Sequence, residues 1–203
     1  MSNTKNKKMK TFELQGEVRS ELGKKSSKAV RASESIPCVL YGSGSNTHFS
    51  VTASDVRKLI YTPEVFVVDL TIDGKHTKSI IQDLQFHPVS DKVLHIDFLE
   101  VTDNKPVIIE IPVKLNGLAE GVKAGGKLAL QMRKLKVKGL YKDFPESVNI
   151  DVTNLGLGKT IQVGALSLDK LEILNAKNAV VAQVKLTRAA RGAAAAAASA
   201  SGK

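Results

Sequence analysis

Apolar and polar residues alternate along the chain from position 11 onward. In the run 11–18 (TFELQGEV), Phe12, Leu14, Gly16 and Val18 occupy every second position, and the residues between them are polar or charged. A two-residue period is the pattern of a strand with one buried face. The sequence therefore predicts a half-buried strand at 11–18.

Further short β-rich runs follow up to residue 101, separated by turn residues. Gly42-Ser-Gly-Ser marks a loop, and Asp73-Gly74 is a dipeptide typical of tight hairpins. Two short helices are predicted between the strands, at 28–32 after a capping Ser26 or Ser27, and at 53–60 after the capping pair Thr52-x-x-Asp55. The remaining predicted strands of this half are Ile36–Tyr41, Val65–Ile72, Lys75–Phe86 and Val93–Val101.

The second half is also rich in short strands. In 134–139, Leu135, Val137 and Gly139 alternate with three lysines, so this strand has one apolar and one cationic face. A helical turn is predicted only within Leu166–Leu174. The other predicted strands are Val107–Leu115, Val148–Val152, Ile161–Leu166 and Asn178–Leu186, with a glycine-rich loop at Asn116–Lys127.

Many short strands with few helices indicate a mainly β protein with mainly antiparallel sheets in both halves. The polar segment TDNKP ends in proline and predicts a linker between two domains. We expect a basic extension at 1–10, a first β domain at 11–101, a linker at 102–106, a second β domain at 107–187 and a disordered, Ala-rich basic tail at 188–203.

The net charge of +10 is unevenly distributed. Residues 1–35 carry nine Lys/Arg and four acids, residues 127–142 carry six and none, and residues 185–203 carry four and none, so the rest of the chain is at −5. Segregated positive charge is expected when particular faces bind a polyanion. Because the chain has no Trp and only 4% aromatic residues, structured RNA is favoured over stacked single strands.

Composition also limits the compartment and the chemistry. Cys38 is the only cysteine, so neither an intramolecular disulfide nor a Cys-based zinc site can form. No apolar run approaches the roughly 18 residues of a membrane span. We expect a cytoplasmic protein with no membrane contact, no cofactor and no small-molecule substrate.

Two constellations bear on enzymatic function. Gly156-Leu-Gly-Lys-Thr160 resembles the end of a phosphate-binding loop, but the required earlier glycine is Thr153, and a strand pattern follows where a helix should begin. His87, His95 and Asp97 leave open a hydrolase or metalloprotein, although they match no compact metal-binding motif. We expect no enzymatic activity and favour RNA contact for these three residues.

The segment from Arg19 to Arg31 is the strongest candidate for phosphate contact. Gly23 breaks the chain after the first strand, and Lys24, Lys25, Lys28 and Arg31 follow at spacings that aim several cations at one phosphate track. The pattern predicts an RNA-binding loop and helix.

Three stretches, in this order, resemble the long form of the bacterial large-subunit ribosomal protein twenty-five family, the 5S-rRNA-binding family that includes the general stress protein Ctc. They are Glu17-Val-Arg19 through Gly23-Lys24 to Arg31, Ile36-Pro-Cys-Val-Leu-Tyr-Gly42, and Gln82-Asp-Leu-Gln-Phe-His-Pro88 with Leu94-His-Ile-Asp-Phe98. Residues 104–186 resemble the additional β domain of the longer members.

The resemblance implies a six- or seven-stranded β-barrel with short helices for the first half, bound to 5S rRNA at the central protuberance of the large ribosomal subunit. It implies contacts with other large-subunit components and no enzymatic activity. The RNA contacts that it implies are Arg19, Lys24, Ser27, Lys28, Arg31, Tyr41, Gln82, Gln85, His87, His95 and Asp97, to which the charge pattern adds Lys25.

Three positions depart from the family pattern. Ala29 replaces a second basic residue beside Lys28, Phe86 replaces a polar or basic residue, and Cys38 replaces a small residue and is expected in the core. A non-ribosomal adaptor remains an alternative, in which Lys134, Lys136 and Lys138 bind an acidic partner.

Overall fold

The computed structural model describes residues 9–42, 44, 46–168 and 170–188. Within these ranges the chain is mainly β, as predicted, and contains three short α-helices. None of the helices in this part of the chain is long and apolar enough to cross a membrane. Apart from residues 9, 10 and 188, the predicted N-terminal extension and the predicted disordered tail lie outside the described residues.

The first six strands are β1 Lys10–Val18, β2 Ser35–Tyr41, β3 Thr47–Thr52, β4 Phe66–Ile72, β5 Lys75–Phe86 and β6 Val93–Glu100, with α1 at Lys24–Ala32 and α2 at Ala53–Ile60. They form a closed barrel in the order β1-β3-β2-β6-β5-β4, which confirms the predicted barrel. Four of the neighbouring pairs are antiparallel, whereas β2 runs parallel to β6 and β1 runs parallel to β4.

The barrel core consists of the inward positions of the strands. Phe49 and Phe98 are fully buried with ring centroids 5.6 Å apart. Gly16 of β1 faces Phe49, and a Cβ at this position would lie 2.6 Å from the phenylalanine ring, so only glycine fits here without repacking. Helix α2 adds Val56 and Leu59 to the same core.

The local predictions in the barrel are partly confirmed. The hairpin at Asp73-Gly74 is present, and both residues have positive φ, as a two-residue turn of this kind requires. Strand β3 is not among the predicted strands, because only Phe49 and Val51 mark its buried face. Thr52 precedes α2 as predicted but makes no side-chain capping hydrogen bond.

The predicted start of α1 is wrong. Its first residue is Lys24, because Gly23 adopts a φ of 108° and its carbonyl accepts the hydrogen bond from the Ser27 N–H. Ser26 and Ser27 therefore lie inside the helix, and all four basic residues at 24, 25, 28 and 31 are helical.

The elements after residue 106 are β7 Val107–Asn116, α3 Glu120–Lys123, β8 Lys127–Leu130, β9 Lys134–Gly139, β10 Val148–Asp151, β11 Thr160–Gln162, β12 Glu172–Ile173 and β13 Val180–Lys185. Their strands form two sheets, with orders β10-β7-β9-β12 and β11-β13-β8. All registered pairs are antiparallel except β7 with β10. In β9, Leu135 and Val137 are fully buried and the alternating lysines are exposed, as predicted.

The helical turn predicted within Leu166–Leu174 is wrong. A 3₁₀ turn occupies Val163–Ala165 instead. The chain then forms β12, which pairs with β9, and the Leu174 N–H donates to the Lys136 carbonyl 2.9 Å away. Pairing with β9 satisfies backbone groups that a helical turn would otherwise have satisfied.

The chain divides into two compact units, one with residues 110–138 and 147 onward, the other with the barrel and residues 139–146. In the barrel unit, the Tyr141 hydroxyl donates to Asp103 Oδ1 at 2.7 Å, and Lys142 Nζ lies 2.7 Å from Asp103 Oδ2. These contacts hold the segment 139–146. The domain boundary at 102–106 stays a prediction.

Candidate nucleic-acid interface

Helix α1 presents a cationic surface whose lysines are not neutralised by acidic side chains of the described residues. Lys24, Lys25 and Lys28 are exposed and form no ion pair or hydrogen bond with any described residue. Positions three, four and seven apart lie on one side of a helix, so Lys24, Lys28 and Arg31 form one line, with Lys25 beside it. No residue of α1 is fully buried, so the helix lies on the barrel surface with its charges available to a ligand.

Arg19 has a different role from the lysines. Its Nη2 donates to the Ser26 hydroxyl at 3.1 Å, to the Ser27 hydroxyl at 3.4 Å and to the Glu21 carbonyl at 3.3 Å. Its Nε is buried and has no hydrogen-bond partner among the described residues. Arg19 and Ser27 therefore fix the loop between β1 and α1, and Arg19 positions the helix rather than extending into solvent.

Arg31 joins α1 to the sheet. Its Nε donates to the Leu94 carbonyl of β6 at 2.9 Å. Leu94 is the residue before His95, so this bond places the end of the cationic helix beside the predicted strand residues. The exposed guanidinium of Arg31 keeps its other nitrogens for a ligand.

The strand residues Tyr41, Gln85, His95 and Asp97 lie on the outer face of β2, β6 and β5. Val39 of β2 and Asp83 of β5 are the partners of Asp97, and Gln85 is the partner of His95. The adjoining positions Ile96 and Phe98 point into the core, so strand alternation directs His95 and Asp97 outward.

A β-bulge gives this face its irregular shape. The register shifts between Ile81 and Asp83, so that Gln82 and Asp83 together oppose Asp97. Both β5 side chains are exposed. Asp83 is not among the predicted site residues, although it lies within the stretch Gln82–Pro88, because strict alternation would have placed Gln82 and Asp83 on opposite faces.

The carboxylates of Asp83 and Asp97 lie on this face, and their negative charge makes it unsuited to phosphate. His95 Nδ1 lies 2.6 Å from Asp97 Oδ1, a contact that becomes an ion pair when the imidazole is protonated, although the atoms are not aligned for a hydrogen bond. Burial, together with Asp97 and Asp83, raises the pKa of the Tyr41 phenol and keeps its hydroxyl as a donor. The outer face of β2, β5 and β6 therefore offers hydrogen-bonding groups for 2′-hydroxyls and base edges.

His87 organises the turn between β5 and β6. Its Nδ1 accepts hydrogen bonds from the backbone N–H groups of Val89 and Ser90 at 3.3 and 3.2 Å. A ring nitrogen that accepts is unprotonated, so the neutral ring carries its proton on Nε2. Within the described ranges, no three His, Cys, Asp or Glu side chains are grouped to hold a metal ion, so the structure does not bring His87, His95 and Asp97 together as a metal site.

The departures from the family pattern have different environments. Phe86 is 42% exposed at the end of β5. Cys38 is fully buried in the core, as predicted, and burial raises the pKa of its thiol. Ala29 is exposed between the cations of α1.

A second cationic surface lies on β9. The exposed Lys134 and Lys136 have their Nζ atoms 3.8 and 3.7 Å from the Glu110 carboxylate. Lys138 is registered opposite Glu172 of β12. Acidic side chains thus accompany the lysines of β9.

Comparison with known proteins identifies the family. Residues 14–98 match the ribosomal L25p family, and residues 106–188 match the C-terminal domain of ribosomal protein TL5. The large ribosomal subunit protein bL25 of Azobacteroides pseudotrichonymphae is 64% identical over 181 residues, covering 89% of this chain and 96% of the relative. Those of Porphyromonas gingivalis and Parabacteroides distasonis are each 60% identical, covering 89% of this chain and 95% of the relative. The match confirms the resemblance drawn from three short stretches, and the chain belongs to the ribosomal L25p family in its long form.

Proposed function

We propose that this protein is a non-catalytic structural component of the large ribosomal subunit that binds 5S rRNA at the central protuberance. It is a cytoplasmic, ribosome-bound protein. The observation that carries the RNA-binding proposal is the bond between Arg31 and the Leu94 carbonyl, which joins an unneutralised cationic helix to a polar strand face. Other components of the subunit are further partners, in part through the residues after 106.

Helix α1 and the outer face of β2, β5 and β6 contribute differently to RNA binding. Lys24, Lys25 and Lys28 neutralise backbone phosphates and release counterions, which supplies affinity with little sequence preference. Tyr41, Gln82, Gln85, His95 and Asp97 donate to and accept from 2′-hydroxyls and base edges in a wide minor groove, which supplies selectivity. Arg19 and Ser27 hold the helix in place, and His87 contributes its Nε2–H at the edge of the strand face.

Binding to purified 5S rRNA over a salt series tests the proposal. Each neutralised phosphate contributes a slope of about −0.9 in log affinity against log salt, by analogy with duplex DNA. A plain RNA duplex of the same length serves as the competitor. Salt-independent binding, or equal affinity for both RNAs, would reject 5S rRNA as the ligand.

Asp97→Asn tests the selective face. The substitution keeps the shape but exchanges an acceptor oxygen for a donor, and we expect the preference for 5S rRNA over the plain duplex to fall roughly tenfold. Asp69→Asn on β4 is the matched control, because Asp69 is also half-buried on the outside of the barrel but lies outside the proposed interface. Equal behaviour of the two variants would move the selective contacts away from β6.

A further inference from the structure

A groove of about 600 Å³ lies on the barrel unit between the end of α1, the helix α2 and the turn between β5 and β6. Its lining includes Arg31, Arg57, Tyr61, His87, Lys92 and Leu94. Arg31 and His87 belong to the proposed RNA interface, whereas Arg57, Tyr61 and Lys92 do not. The groove therefore continues that interface onto a surface to which no role has been assigned.

The groove combines an apolar floor with a cationic rim. Ile36 and Val56, both buried, lie in its lining with the half-buried Val93 and Leu94. Arg31, Arg57 and Lys92 contribute three positive charges, and Glu34 is the one acid in the lining. Within the part of the chain that the structure describes, the side chains of Arg57 and Lys92 form no ion pair or hydrogen bond. An anionic ligand with an apolar part matches this lining.

Tyr61 supplies an aromatic wall that is already in position. Tyr61 is 61% exposed, and its hydroxyl donates to the Asp91 carbonyl at 3.3 Å. This bond links the end of α2 to the turn that His87 organises. The Tyr61 ring is fixed by its backbone at the end of α2 and by the hydrogen bond of its hydroxyl, so its exposed face is in position for a nucleobase to stack on.

We propose that the groove receives one unpaired nucleotide of the RNA that binds the adjoining strand face. The base stacks on Tyr61 above the apolar floor, and Arg57 and Lys92 bind the flanking phosphates. A volume of about 600 Å³ is within the usual range for small-ligand sites. The inference rests on the proposed function, because it takes the occupant from the same RNA.

Charge reversal tests the site with full-length protein and 5S rRNA. Arg57→Glu and Lys92→Glu should each weaken binding roughly tenfold. Lys58→Glu is the matched control, since Lys58 is an exposed neighbour on α2 that does not line the groove. It should change affinity by about twofold, the long-range part of the charge effect. Equal losses at positions 57 and 58 would overturn the proposal.

Photocrosslinking of the complex supplies a readout independent of charge. We expect a nucleotide adduct on the peptide that contains Tyr61, retained in Tyr61→Phe and lost in Tyr61→Ala, with Tyr41 as an internal reference on the strand face. An adduct at Tyr41 without one at Tyr61 would reject the groove and leave the proposed function intact. Failure of the unaltered protein to bind 5S rRNA would reject the proposed function itself. If the groove variants bind 5S rRNA normally but leave large subunits at lower salt, the occupant is another ribosomal component.

Discussion

The α1 and β9 surfaces carry lysines at regular spacing, but their surroundings differ. Lys24, Lys25 and Lys28 have no acidic partner within ion-pair distance in the described ranges. On β9, Glu110 lies within 4 Å of two lysines and Glu172 is registered opposite the third. Equal counts of cations in a sequence therefore do not imply equal positive potential.

The two surfaces also differ in what adjoins them. Helix α1 is joined through Arg31 to a strand face that carries tyrosine, glutamine and histidine side chains together with the Asp83 and Asp97 carboxylates. The exposed side of β9 is flanked instead by Glu110 and Glu172. A cationic surface next to a selective one is what a specific RNA site requires, because phosphate contacts position the RNA and other contacts specify it.

Charge reversal on each surface gives the largest expected contrast. The triple change Lys24→Glu, Lys25→Glu, Lys28→Glu should lower 5S rRNA affinity on the order of 100-fold and reduce the salt slope by about three, one for each phosphate that is no longer neutralised. The triple change of Lys134, Lys136 and Lys138 to Glu should alter the affinity for isolated 5S rRNA by less than about threefold. Fluorescence anisotropy over a salt series measures both.

Unchanged thermal unfolding of the two triple variants serves as the folding control, because all six lysines are exposed. A larger loss of affinity from the β9 variant would assign the phosphate contacts to the unit that contains residues 110–138. It would also revive the acidic-partner hypothesis in a different form, with RNA as the polyanion on β9.

A smaller effect should come from Arg31→Lys, which keeps the charge but loses the fork geometry. Lysine cannot donate to the Leu94 carbonyl and bind phosphate with separate nitrogens. We expect affinity to fall about threefold to tenfold with an unchanged salt slope, since the number of cations is the same. Lys28→Arg, with no bond to lose, is the control. A reduced slope in Arg31→Lys would indicate that Arg31 acts as a charge alone.

How far the sequence predicts this site depends on the residue. The cations of α1 are predictable because charge and helical spacing are local properties. The sequence assigns Arg19 to phosphate, but its bonds to two serine hydroxyls depend on the turn at Gly23, which brings a loop and a helix together. Charge predicts that an arginine needs a partner, but not whether the partner is RNA or protein.

In the fold, too, local features are predictable from the sequence and features that depend on distant segments are not. Alternation and the Asp73-Gly74 turn predict most strands of the barrel, whereas β3 is missed because it has only two buried apolar side chains. The bulge at Gln82 and the groove beside α2 arise from pairing between distant segments. For this reason Asp83, Arg57 and Lys92 are not among the predicted site residues. A bulge predicted within Gln82–Pro88 would have placed Asp83 on the outer face beside Gln82.

Neutralising Glu110 of β7, the acid beside the β9 lysines, should have a modest effect of the opposite sign. Glu110→Gln removes the charge that lies beside Lys134 and Lys136. We expect affinity for a plain RNA duplex to rise about twofold at low salt and to return to the original value at high salt, because exposed pairs are weak and screened. Glu13→Gln on β1 is the matched exposed control. No change in Glu110→Gln would mean that Glu110 does not restrain the β9 lysines.

The smallest expected effect concerns Lys142, the last cation of the cluster at 127–142. Its ammonium and the Tyr141 hydroxyl lower the pKa of Asp103 from the ordinary value of 3.8. A lowered folded pKa stabilises the contact above the ordinary value, and this stabilisation is lost as pH falls through the lower folded value. The protection factors of the amides within 141–144, which correct the exchange rate for its intrinsic pH dependence, should therefore fall below about pH 4. Asp103→Asn should lower these protection factors already at neutral pH and lose the acid step, whereas a step that persists in this variant would assign it to another carboxyl. Loss of the Asp103 contact would leave Lys142 available to a polyanion.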